Sequence, residues 1–75
     1  MSLLLPQTRT GTVRSARLVE IHGDRYVDVA VSLEDDDSPP VTGRVSAMEC
    51  PLDLNPGDRV SVSFTMGVMT RVSRV

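Results

Sequence analysis

Apolar and polar residues alternate over several short stretches, and the clearest alternation runs from Arg59 to Thr65. The apolar positions of this run and its continuation are Val60, Val62, Phe64 and Met66. Alternation with a period of two is typical of a β-strand with one buried face. The stretch Arg25 to Leu33 has the same pattern, with its apolar residues at odd positions. We therefore expect two amphipathic strands here. No part of the chain has a sustained helical period.

Three further strands follow from weaker patterns and from the turn residues between them. They are predicted at Thr8 to Ile21, Val41 to Met48 and Val68 to Arg74. In the first strand the apolar positions change face near Ser15, which a β-bulge would explain. Gly11 is expected at a point of close packing.

Turn chemistry separates the predicted strands. The segment His22-Gly23-Asp24 and the pair Met66-Gly67 are expected to reverse the chain. The segment Asn55-Pro56-Gly57-Asp58 fits a type II turn, in which the third residue needs a positive φ. Residues 52–54 form a short connector that we interpret as one turn of helix at most.

Five short strands separated by turn residues predict an all-β protein. The strand order favours a five-stranded antiparallel OB-like small barrel, with at most one short helical turn between strands 3 and 4. Residues 1–8 are expected to form an N-terminal tail, and residues 9–75 a single domain. A core of small aliphatic side chains in so short a chain is thin, which favours a homo-oligomer or a protein partner.

Composition narrows the function classes. The net charge is −2 and the pI is near 5.1, which argues against a dedicated nucleic-acid-binding protein. Cys50 is the single cysteine, so no internal disulfide can form. The acidic segment of residues 34–40 lacks the spacing and the glycine of an EF-hand, so we expect a solvated loop and no metal site. No cofactor is expected. The chain has no stretch of membrane-spanning length, and we expect a cytoplasmic protein.

Catalysis is not expected from these residues. His22 is the single histidine, and it lies in a predicted turn far along the chain from Cys50. Glu20 and Asp28 are expected to face each other across the first hairpin, but a carboxylate pair needs a pocket to perturb it. A small, filled barrel leaves little room for one. The chain is therefore predicted to be a binding or assembly module and not an enzyme.

The outer face of strands 2 and 3 is the predicted binding surface, because OB-folds bind single strands there. Antiparallel pairing across the acidic loop is expected to bring Tyr26 near Met48 and Ala30 near Arg44. Tyr26 would stack on a base and Arg44 would contact a phosphate. The predicted ligand-binding residues are Tyr26, Arg44, Met48, Arg25 and His22. They predict weak binding of single-stranded nucleic acid, opposed by Asp28 on the same face.

Three segments resemble a known family. The segments are Thr10-Gly11-Thr12-Val13, the alternating valines from Val27 to Val31, and residues 54–60 followed by Phe64. Together they are similar to TOBE/Mop-type domains. The resemblance implies an OB-like barrel that dimerises and binds molybdate or tungstate between subunits. It assigns no ligand residue, because the Arg-Asn start of Mop domains is missing here. An oxyanion-binding domain and a purely structural homo-oligomeric subunit are therefore the alternatives.

Overall fold

The structure, a computed structural model, describes residues 5–34 and 37–75. Residues 1–4 of the predicted tail and Asp35 and Asp36 of the acidic loop lie outside the described residues. The strands are β1 (Gln7–Ile21), β2 (Asp24–Leu33), β3 (Val41–Ser46), β4 (Arg59–Thr65) and β5 (Val68–Arg74). One 3₁₀ turn, Ala47–Glu49, lies between β3 and β4. The prediction of an all-β protein with five antiparallel strands, and at most one short helical turn between strands 3 and 4, is confirmed.

The strands form one sheet in the order β3-β2-β1-β4-β5, and every neighbouring pair is antiparallel. The long strand β1 lies at the centre, where its first half pairs with β4 and its second half with β2. The pairing of β1 with β2 shifts between Val13 and Ser15, so the predicted bulge is confirmed. Arg14 and Ser15 are both exposed there. The extra residue bends β1, and after it Ala16 lies on the inner face opposite Val29 while Arg17 lies on the outer face opposite Asp28.

The sheet curls until its two edge strands meet, but it does not close. In the described part of the chain, no strand ladder joins β3 to β5. The two strands approach each other at Gly43, where an added Cβ would lie 2.7 Å from Cβ of Met69. Glycine at this position therefore permits a close contact that any side chain would obstruct. A closed barrel is not confirmed, and the observed structure is an open, curled sheet.

A valine-rich core fills the inside of the curl. Side chains with less than 2 % exposure are Val13, Val29, Val31, Val45, Val60, Val62 and Val72. Phe64 and Met69 are also buried, whereas Val41 only packs against the core. The end of β4 at Thr65 and the reversal predicted at Met66-Gly67 are confirmed, but Met66 does not share the buried face whose alternation it continues. β4 ends at Thr65, and Met66 has a φ of 55° in the following turn with 71 % of its surface exposed.

The connector between β3 and β4 is fixed to the bulge of β1. Gly57 has a φ of 96°, and the N–H of Asp58 donates to the carbonyl of Asn55 at 3.1 Å. These two observations confirm the positive φ and the turn predicted for this segment. The N–H of Gly57 donates to the carbonyl of Val13 at 2.8 Å. Arg74 of β5 then contacts Asp58 at 3.2 Å, so the connector joins the central strand to the edge strand β5.

The short helical turn lies earlier than residues 52–54, where we expected it. It covers Ala47–Glu49, and the N–H of Met48 donates to the hydroxyl of Ser46 at 3.2 Å. Serine favours this position because its side chain satisfies a backbone donor at the start of the turn. β3 therefore ends at Ser46, two residues before the predicted end at Met48.

Candidate binding face on strands β1 to β3

The pairing of β2 with β3 differs from the predicted pairing by two residues. Tyr26 lies opposite Ser46, and Asp28 lies opposite Arg44. The predicted register, in which Tyr26 pairs with Met48 and Ala30 with Arg44, is wrong because the chain leaves β3 after Ser46. Met48 nevertheless lies near Tyr26, as predicted, since both line one depression of the surface. A shift of two residues preserves the face on which each side chain lies. Tyr26 and Arg44 therefore still lie on the outer face, opposite the buried valines of β2.

Arg44 is engaged in a bidentate ion pair with Asp28. Its Nε donates to Oδ1 at 2.7 Å, and its Nη2 donates to Oδ2 at 2.9 Å. These hydrogen bonds lower the pKa of Asp28, and the charge of Arg17 lowers it further. The same hydrogen bonds raise the pKa of Arg44. Both groups stay charged at neutral pH, so Arg44 does not offer the free cation that the sequence predicted.

Arg17 is the cation that sequence reasoning missed on this face. β1 places it directly opposite Asp28, on the outer side of the sheet. In residues 5–34 and 37–75, Arg14, Arg17 and Arg25 make no side-chain hydrogen bond or ion pair. The bulge predicted near Ser15 was the sequence feature that could have identified Arg17 as an outer-face residue. Once it is included, the alternation of β1 places Arg17 outside.

The other ion pairs among the described residues are formed by residues outside β1, β2 and β3. Arg59 pairs with Glu34, Arg71 pairs with Glu49 at 2.6 Å, and Arg74 pairs with Asp53 at 2.8 Å. Within the described residues, the arginines without a carboxylate partner at hydrogen-bonding distance are therefore concentrated on the β1–β2 hairpin.

Two depressions lie along this face. The first, which we call the outer groove, has a volume of about 540 Å³. Its lining includes Ser15, Ala30, Thr42, Arg17, Asp28 and Arg44. The second, the hairpin pocket, has a volume of about 430 Å³. Its lining includes Asp24, Arg25, Tyr26, Ser46 and Met48. Both volumes lie in the range of small-ligand pockets, about 300–1,000 Å³. Three predicted site residues, Arg25, Tyr26 and Met48, are thus brought together in the hairpin pocket.

Apolar surface surrounds Tyr26. Val19 lies directly opposite it on β1, and 92 % of the surface of Met48 is exposed beside it. His22, the remaining predicted residue, lies in the two-residue turn before Asp24 with a φ of 52°. His22 is exposed and does not line the hairpin pocket. The face therefore combines one aromatic ring, apolar contacts and the free guanidinium group of Arg17.

The predicted carboxylate pair of Glu20 with Asp28 is wrong. Glu20 lies opposite Arg25, and Asp28 lies opposite Arg17. Cys50 is buried, and its burial raises the pKa of the thiol, which makes a reactive thiolate less available. The described ranges contain no group of three or more His, Cys, Asp and Glu side chains placed to hold a metal ion. They also contain no helix long and apolar enough to span a membrane.

Comparison with known proteins gives no assignment. No protein-family model, curated protein or solved structure matches this chain. The resemblance to TOBE/Mop-type domains stays a prediction from the residues.

Proposed function

We propose that this chain is an open, OB-like binding module without catalytic activity. In this proposal it binds single-stranded nucleic acid weakly through the outer face of β1, β2 and β3. One observation carries the proposal: the free guanidinium groups of Arg14, Arg17 and Arg25 lie on the same hairpin as the single tyrosine, Tyr26. Proteins that bind single strands without strong sequence preference combine cationic side chains for phosphates with aromatic rings on which bases stack.

Tyr26 and Met48 are the proposed contacts for a base. They line the same pocket, and Val19 extends the apolar surface on the side of β1. Stacking of a base on an aromatic ring contributes about 1–3 kcal/mol. The thioether of Met48 can adapt to either ring size of a base, because the side chain is unbranched and polarisable.

The charges on the face explain why the proposed binding is weak. Asp24 and Asp28 lie among the arginines, and Arg44 is already neutralised by Asp28. About two or three guanidinium groups remain for phosphates. Each phosphate contact on a single strand contributes about −0.7 to the slope of log K against log salt. The expected slope is therefore about −1.4 to −2.1.

Fluorescence anisotropy with a labelled single strand of about 12 nucleotides, a length within the range bound by one OB-fold, tests the proposal. Arg17→Ala should weaken binding and make the salt slope shallower by about 0.7. Arg59→Ala is the matched control, because Arg59 is also exposed but pairs with Glu34 and lines neither depression. Arg59→Ala should leave the affinity unchanged.

Tyrosine variants provide the second test. Tyr26→Ala should weaken binding about 5- to 150-fold, whereas Tyr26→Phe should retain the affinity because the ring remains. Absence of binding to the wild-type protein at low salt would refute the proposal. Equal losses for Arg17→Ala and Arg59→Ala would show that the face is not the site.

Assembly is the second candidate, favoured by large apolar side chains exposed near both hairpin turns. Leu18 is 50 % exposed although it lies on the inner face opposite Val27, and Met66 is 71 % exposed. A second copy of the chain would cover such surface. Light scattering over a range of concentrations tests this candidate, and a strictly monomeric protein would contradict it. Thermal stabilisation by molybdate or tungstate would instead support the oxyanion alternative.

A further inference from the structure

We infer that Asp28, held in place by Arg44, reads the exocyclic amino group of a base bound in the outer groove, so that the face prefers cytosine to thymine. This inference rests on the proposed function and adds a substrate preference to it.

The carboxylate of Asp28 is fixed in orientation and still has acceptor capacity. Each of its two oxygens accepts one N–H from the planar guanidinium of Arg44, at 2.7 Å and 2.9 Å. An ionised carboxylate offers about four lone-pair sites, so about two remain. The side chain of Asp28 is 39 % exposed, and solvent or a ligand can reach these sites. Because the carboxylate is ionised, it can only accept hydrogen bonds.

The position of Asp28 suits contact with a base next to Tyr26. Both residues point to the outer face of β2, and two residues of a strand span about 7 Å. The groove beside Asp28 is lined by the small side chains of Ser15, Ala30 and Thr42. These side chains leave space above the sheet. A strand that stacks one base on Tyr26 can therefore place the next base in the groove, with its polar edge towards Asp28.

The chemistry of the two pyrimidines then separates them. Cytosine carries an amino group with N–H donors at the position where thymine carries a carbonyl oxygen. An acceptor-only carboxylate hydrogen-bonds the amino group, whereas it repels the carbonyl oxygen and loses its hydration. Discrimination of this kind corresponds to about 5- to 150-fold in affinity.

The test compares oligo-dC with oligo-dT of equal length by fluorescence anisotropy at pH 7.5, where both strands carry the same charge. The wild-type protein should bind oligo-dC at least about 5-fold more tightly. Asp28→Asn should reduce this ratio to about one, because the amide offers both a donor and an acceptor. Glu34→Gln is the matched control, since it removes the same charge from the ion pair with Arg59 outside the outer groove and should leave the ratio unchanged.

A modified ligand keeps the inference testable if Asp28→Asn folds poorly. An oligomer of N4,N4-dimethylcytosine lacks the N–H donors and should bind the wild-type protein as weakly as oligo-dT. Equal binding of oligo-dC and oligo-dT, or tight binding of the dimethylated oligomer, would overturn the inference and leave the proposed function intact. Absence of binding to every oligomer would overturn both.

Discussion

Replacement of Gly43 by alanine tests the contact on which the curled sheet depends. The added Cβ would lie 2.7 Å from Cβ of Met69 and 3.1 Å from its Sδ. Real Cβ atoms do not approach another carbon so closely, and the Cβ of Met69 moves only with the backbone of β5. Overpacking of this kind costs about 1–3 kcal/mol. Alanine also has fewer backbone conformations than glycine in the unfolded chain, and this stabilises the folded state by about 0.4–1 kcal/mol. With the middle of each range, the expected net loss of stability is about 1.3 kcal/mol.

Whether Gly43→Ala lowers or raises the stability shows whether β3 and β5 are in contact. If β3 and β5 were not in contact, Gly43→Ala would stabilise the protein through the unfolded state alone. Thermal unfolding followed by circular dichroism measures the difference, since 1 kcal/mol shifts Tm by about 4–8 °C in a domain of this size. A Tm equal to that of the wild type, or higher, would refute the close approach of the two edge strands. Thr42→Ala, at the neighbouring exposed position, is the control for a general effect of substitution in β3.

Two further predictions concern the turn and the ion pairs. Gly57→Ala should lower the stability measured by thermal unfolding by about 1 kcal/mol or more, because Gly57 has a φ of 96°. The cost comes from the backbone alone, since an added Cβ would meet no atom within 4 Å. Oligonucleotide binding should not change. Acid should destabilise the protein, because hydrogen bonds from Arg44 and Arg74 hold the pKa values of Asp28 and Asp53 below their ordinary value of 3.8. This contribution is fully present above pH 3.8 and is lost as the pH falls through the lowered pKa values. Melting curves at neutral and strongly acidic pH measure it, and an equal loss in Asp28→Asn would contradict the role of that pair.

The strands could be predicted because burial imposes alternation on the sequence. β2 and β4 each have one buried face, so their apolar residues occur at every second position. The end of β3 was harder to predict because Ala47 and Met48 continue the alternation, although Ser46 already caps a 3₁₀ turn. The face expected for the Met66 side chain was wrong for a related reason. Met66 continues the apolar alternation of β4, but it lies in a two-residue turn that requires a positive φ at this position.

How far the sheet closes could not be predicted, because the approach of its two edge strands depends on a contact between residues far apart in the chain. Nothing local to Gly43 indicates that Met69 will pack against it. The Asp28–Arg44 pair was missed for a different reason. The predicted alignment of β2 with β3 was wrong by two residues, so Ala30 stood where Asp28 belongs. A shift of two residues leaves each side chain on its predicted face but gives it a different cross-strand neighbour, because the side-chain period of a strand is two.

The total charge of the chain is a poor guide to what its surface can bind. A net charge of −2 argues against a nucleic-acid ligand, but this sum treats every charge as equally available. In the described residues, Arg59, Arg71 and Arg74 donate hydrogen bonds to carboxylates outside β1, β2 and β3. These pairs cancel both charges locally and contribute little to the field elsewhere. Unpaired cations therefore determine where an anion can dock. On this protein they lie on the β1–β2 hairpin, where a bulge turns Arg17 towards the same side as Tyr26.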